Sequence, residues 1–170
     1  MSNQFAGNLA DYISTHAYVD ESQLHSAIAY QKQIGGRLEN ILVNLGYVHQ
    51  EDIPIIYSGY LNIPLLSFDC EFDISTFDFS MLDLDELYSK NAVPFELTNA
   101  GVVHLAVTDP LSIELYEYID SCLTEYKIFV CNQNQLTSIK SILDSKKQMS
   151  SGADSGVKGE LDRIRELAFG

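Results

Sequence analysis

The sequence predicts an α+β protein: an N-terminal four-helix module of two tandem repeats, followed by a small α/β subdomain with about three strands. Three observations predict this. First, the opening residues say the same thing twice at an offset of 29: Leu9, Ile13, Ala17, Tyr18, Val19, Leu24, Ile28 and Gln31 fall on Leu38, Leu42, Gly46, Tyr47, Val48, Ile53, Tyr57 and Tyr60. Second, Val93–Leu97 and Val102–Val107 are β-rich runs flanking Thr98-Asn-Ala-Gly101, which supplies hairpin turn chemistry. Third, Tyr126–Cys131 is a short apolar run between two helical patterns, as a buried strand would be.

Taken in order, Asn8–Thr15 reads as a short helix with Leu9, Tyr12 and Ile13 on one face. Asp20 followed three residues later by Gln23 forms a capping box, opening a helix that runs to Ile34 and stops at Gly35-Gly36. Its apolar face carries Leu24, Ala27, Ile28 and Gln31. Arg37–Leu45 is the third helix, ended by Gly46, which tolerates the left-handed backbone of a C-terminal cap. The fourth starts near Gln50, holds Pro54 in its first turn and ends near Leu61. Character changes at Asn62-Ile-Pro64, and Leu65–Ser80 reads as a short strand and an irregular crossing segment. Met81–Lys90 is expected to be helical, and the hairpin follows. Thr108-Asp109-Pro110 ends the second strand ahead of a helix over Ser112–Leu123, and Gln133–Asp144 closes the subdomain as an amphipathic helix. The expected divisions are therefore 1–62, 63–145, a linker over 146–159 by its Ser/Gly/Lys composition, and an amphipathic segment over 160–170. That last segment has no evident partner, which suggests the start of a further domain in a longer parent.

Charge excludes one class of function. Residues 63–145 carry 14 acidic side chains against three basic ones, and the whole chain is −14. Nucleic-acid binding depends on Lys and Arg neutralising phosphates, so nucleic acid is not an expected partner. A basic protein surface suits this chain better. No apolar run reaches the ~18 residues of a membrane span, so direct membrane insertion is not expected. His16, His25, His49 and His104 are scattered, and Cys70, Cys122 and Cys131 fit no zinc or disulfide spacing, so no metal is expected and the thiols read as reduced and mostly buried. The sequence has no GxxxxGK[ST] phosphate loop, no GxSxG and no HExxH. No catalytic residue is assigned, and the chain is not read as an enzyme.

The two repeats, the junction Leu61-Asn-Ile-Pro64-Leu65, Ala92-Val-Pro94-Phe95, and Leu105-Ala-Val-Thr-Asp109-Pro110 followed by a helix resemble one family. That family is the N-terminal domain of the ATPases of type II secretion and type IV pilus assembly. The closing Glu160–Ala168 segment is similar to the stretch before the next domain of the secretion ATPase, with the ATP-binding core further on. The resemblance implies a cytoplasmic, non-catalytic docking and regulatory domain. Its partners would be the cytoplasmic domain of an inner-membrane assembly-platform protein and the ATPase core of the same parent. ATP and magnesium would belong only to that core.

Some members of this family bind cyclic di-GMP on the tandem repeat, through R-L-G-x-x-L-x-x-x-G followed by L-x-x-x-L-x-x-Q. The framework positions fall here on Leu9, Ile13, Leu24, Ile28 and Gln31 in the first copy and Arg37, Leu38, Leu42 and Gly46 in the second. Three positions depart from the pattern. Asn8 stands in place of an arginine, Glu39 in place of a glycine and Tyr60 in place of a glutamine. Each lost charge-assisted contact weakens a phosphodiester ligand by ~1.5–3 kcal/mol. Binding of cyclic di-GMP is thus the second reading, docking the first, and Arg37 is expected at a helix end rather than against a ligand.

Overall fold

A computed structural model describes residues 7–67 and 81–149. The N-terminal module contains α1 (Leu9–Thr15), α2 (Glu21–Ile34), α3 (Leu38–Asn44), a 3-10 turn (Gln50–Asp52) and α4 (Ile53–Leu61). Asn8 caps α1 and Asp20 caps α2, each in a reciprocal capping box, with Asp11 and Gln23 respectively. The α1 and α3 ends share the same pair of closing bonds. The amide of Ala17 donates to Ser14 and that of Tyr18 to Ile13, as Gly46 does to Val43 and Tyr47 to Leu42. This paired pattern requires a left-handed residue, and Ala17 sits at φ 56 where the second copy uses Gly46 at φ 73.

The two positions should therefore respond oppositely to exchange. Ala17→Gly relieves an alanine of left-handed strain and should stabilise by up to about 1 kcal/mol, whereas Gly46→Ala should cost about as much. Urea unfolding of the two variants checks the signs.

Neither repeat buries its apolar face alone. Tyr12, Ile13, Val19 and Ala27 from the first share one core with Leu38, Ile41, Leu42, Val48, Ile53, Ile56 and Tyr57 from the second. Val130, from the sheet subdomain, completes this core.

The subdomain holds α5 (Leu84–Ser89), β1 (Ala92–Leu97), β2 (Val103–Val107), α6 (Ile113–Cys122), β3 (Tyr126–Val130) and α7 (residues 133–149). The sheet order is β1-β2-β3, antiparallel between the hairpin strands and parallel between β2 and β3, with α6 as the crossover. Pro94 is tolerated because β1 lies at the sheet edge, and the register shifts beside it, between Pro94 and Glu96. Alternation along the strands separates two cores. Ala92, Val103, Leu105 and Val107 pack with Leu87, Leu115 and Ile119 of α5 and α6. Val93, Phe95 and Ala106 face Leu136, Ile139 and Leu143 of α7.

Three boundaries differ from the sequence reading. The helix expected over Met81–Lys90 is confined to Leu84–Ser89, because the Asp83 side chain accepts from the amides of Asp85 and Glu86 and fixes the first turn there. The helix expected to begin near Gln50 opens as a 3-10 turn and becomes α-helical at Ile53. The last helix continues to residue 149, four residues into the stretch read as linker. Nothing in Ser145-Lys-Lys-Gln-Met149 breaks a helix, and Asn132 and Gln135 cap its start reciprocally. Of the Leu65–Ser80 expectation, Leu65 forms an isolated parallel bridge to Val130. Residues 68–80 with Cys70, and the linker and terminal segment from residue 150 on, lie outside the described residues.

Cys131 is fully buried between the sheet and α7, and burial pushes its thiol up to about 12. The thiol is therefore held protonated and closed to solvent. Alkylation mapped by mass spectrometry should leave Cys131 unmodified in the native protein and modify it in denaturant.

Candidate functional site

Of the nine sequence-assigned site residues, the apolar ones are core. Ile13 and Leu42 are fully buried, Leu38 nearly so, and Leu9, Leu24 and Ile28 pack against the same cluster. Gly46 forms the turn described above. The Gln31 side chain donates to the Gly36 carbonyl at 2.9 Å and ties the α2–α3 loop. Asn8 is occupied as a cap, accepting from the Asp11 amide at 3.0 Å. Arg37 is the one assigned residue that enters a constellation with chemistry of its own.

Arg37 is the residue before α3, with extended backbone and no side-chain cap on the helix amides. Its side chain is directed instead across to the sheet subdomain. Nη1 and Nη2 donate to the two carboxylate oxygens of Asp109, at 2.6 and 3.0 Å. Nη2 also donates to the Tyr57 hydroxyl at 2.9 Å, and Nε lies 2.5 Å from Oε1 of Glu39. The Tyr57 hydroxyl in turn donates to that same Glu39 oxygen at 2.6 Å. Three of the guanidinium N–H groups are hydrogen-bonded, and Nε is ion-paired with Glu39.

Two carboxylates share one cation here, so the cluster is net negative. Glu39 is 4% exposed and is the buried charged residue among those described. It is satisfied by Arg37 and Tyr57 together, which a buried carboxylate requires. The hydrogen bond to Asp109 holds the Arg37 guanidinium firmly protonated, above its already high value. Burial, and then the bond to Glu39, push the Tyr57 phenol well above its ordinary value, so it stays a donor. This arrangement holds ions in place; it presents no activated nucleophile and no free acid or base. Among the described residues no group of His, Cys, Asp and Glu side chains is placed to hold a metal ion. None of their helices is long and apolar enough to cross a membrane.

Sequence reasoning placed Asp109 at the end of a strand and in the stretch that carries the family resemblance, and treated Glu39 as a charge against a ligand. Asp109 reaches Arg37 across 72 residues of separation, a pairing visible only in the fold, while Glu39 lies two positions from Arg37.

No protein-family model matches the sequence, and no curated protein does. Solved structures do match. A structure of MshE with cyclic di-GMP superposes with a TM-score of 0.67 at 19% identity, over 78% of this chain and 95% of that one. The N-terminal domain of XpsE superposes with a TM-score of 0.60 at 14% identity, over 77% of this chain and 90% of that one. The chain shares their fold. The α+β class, with helices leading into a three-stranded mixed sheet, stands on that likeness as well as on the sequence.

Proposed function

We propose that this chain is the non-catalytic N-terminal domain of a secretion or pilus-assembly ATPase, docking the motor on the cytoplasmic domain of an inner-membrane platform protein. The observation that carries this reading is the fold shared with the XpsE N-terminal domain over most of both chains. The strongly acidic second half supports a basic partner surface, and the chain would work in the cytoplasm, held at the inner membrane through that partner. ATP and magnesium would be handled by the core of the parent.

The second reading, a cyclic di-GMP sensor, is favoured by the likeness to MshE with that ligand. The site's chemistry argues against it. A phosphodiester would have to displace Asp109 from Arg37 while sitting near the Glu39 carboxylate, with Asn8 committed as a cap. We therefore rank docking first and infer that the repeat takes no cyclic di-GMP.

Co-purification with the cytoplasmic domain of the platform protein tests the docking role. A complex that weakens as salt rises is the expected result. Failure of the two purified proteins to associate at low salt would overturn it.

A further inference from the structure

The seam between the helical module and the sheet subdomain lies at the C-terminal ends of β2 and β3. The Leu66 amide donates to the Val130 carbonyl at 2.8 Å, and the Val130 amide to the Pro64 carbonyl at 2.9 Å. The Val130 side chain enters the module's core, and Ile63 packs against the cores on both sides. Val130 pairs with Val107, two residues before Asp109, so the ion pair to Arg37 spans the seam beside this backbone junction. Asn62 immediately precedes the junction in a left-handed conformation.

We propose that the Arg37–Asp109 ion pair is a latch fixing the orientation of the helical module on the sheet, and that Glu39 is the second seat of the guanidinium when the latch opens. The two ends of the guanidinium do different work. The Nη edge grips Asp109 across the seam, while Nε and the Tyr57 bond hold Glu39 and α4 inside the module. Exposure is divided in the same way, because the Arg37 and Asp109 side chains are 40% and 29% exposed and that of Glu39 is 6%. Separating Arg37 from Asp109 therefore sends one carboxylate into water and leaves the buried one still neutralised. An opening that orphans no buried charge is one a fold can visit. Asp109 is meanwhile pinned by its own turn, its Oδ1 accepting from the Leu111 amide at 3.2 Å. The receiving half of the latch stays in place whether or not the arginine is seated. This device does not depend on the docking role.

Residual dipolar couplings on the isotopically labelled full chain test it. In the wild type, the amides of α1–α4 and those of the sheet should fit one alignment tensor. In Asp109→Asn the single fit should be lost, with a weaker tensor for the module and amide shifts unchanged in both interiors away from the Ile63–Leu66 and Val130 junction. Glu39→Gln, which leaves the cross-seam pair intact, should keep the single tensor, and Arg37→Lys, which loses the two-pronged grip, should fall between. A single tensor in Asp109→Asn equal to the wild type's would overturn the latch. Loss of the module's native shifts in that variant would overturn it equally, since the pair would then be part of the fold and not a device upon it.

Discussion

Arg37→Met is expected to destabilise the chain by about 3 kcal/mol, the low end for stranding a buried charge because the arginine is itself partly exposed. The cost arises at Glu39, which keeps only the Tyr57 hydroxyl while remaining 4% exposed. In a chain of this length the loss should lower the melting temperature by roughly 6–12 °C. Asp109→Asn should cost far less, about 1 kcal/mol, since both members of that pair reach water. Adding Glu39→Gln to Arg37→Met should recover much of the loss, because a neutral amide still accepts from Tyr57 and no longer needs a cation. Thermal unfolding of the two single variants and the double one measures this. Equal losses for Arg37→Met and Asp109→Asn would contradict the division of labour between the two carboxylates.

Gly59→Ala is expected to destabilise by about 1–3 kcal/mol, the reverse of the usual gain from replacing glycine inside a helix. Gly59 lies in α4 under the phenol of Tyr12, and a β-carbon there would sit 3.0 Å from Cζ and nearer still to the hydroxyl. The ring cannot easily yield. It is stacked on His16 at 3.9 Å between centroids and tilted against Tyr60 at 5.7 Å. Through this contact the first helix of one repeat meets the second helix of the other. Chemical denaturation should show the loss for Gly59→Ala and partial recovery when Tyr12→Phe removes the obstructing oxygen. A stabilised Gly59→Ala would mean that Tyr12 does not press on α4 as described.

What could be read in advance was local. The capping box of Asp20 and Gln23, the cap at Gly46, and the turn Thr98–Gly101 are each set by residues within a few positions of one another. The repeat extended that reach, because two copies that match at apolar positions had to share one core. The α5 boundary was misjudged because Met81–Lys90 reads as one helical stretch, whereas the side chain of Asp83 decides where the helix begins. The extension of α7 was missed because Lys-Lys-Gln reads as linker composition although each residue is a good helix former.

The site was harder. Arg37, Glu39 and Tyr57 share one face only after α3 and α4 pack, and Asp109 arrives from another subdomain. A glutamate at a position expected to face a ligand looked like repulsion, yet it is buried and neutralised from two sides. Gln31 and Asn8 were assigned by position in a pattern, and both turned out to close local backbone, at Gly36 and Asp11.

Arg37 is committed within the chain, leaving the duplicated module no arginine to offer an anionic dinucleotide. Isothermal titration of the full chain with cyclic di-GMP at neutral pH should give no saturable heat. Saturable binding in the micromolar range or tighter, abolished by Arg37→Ala, would contradict it.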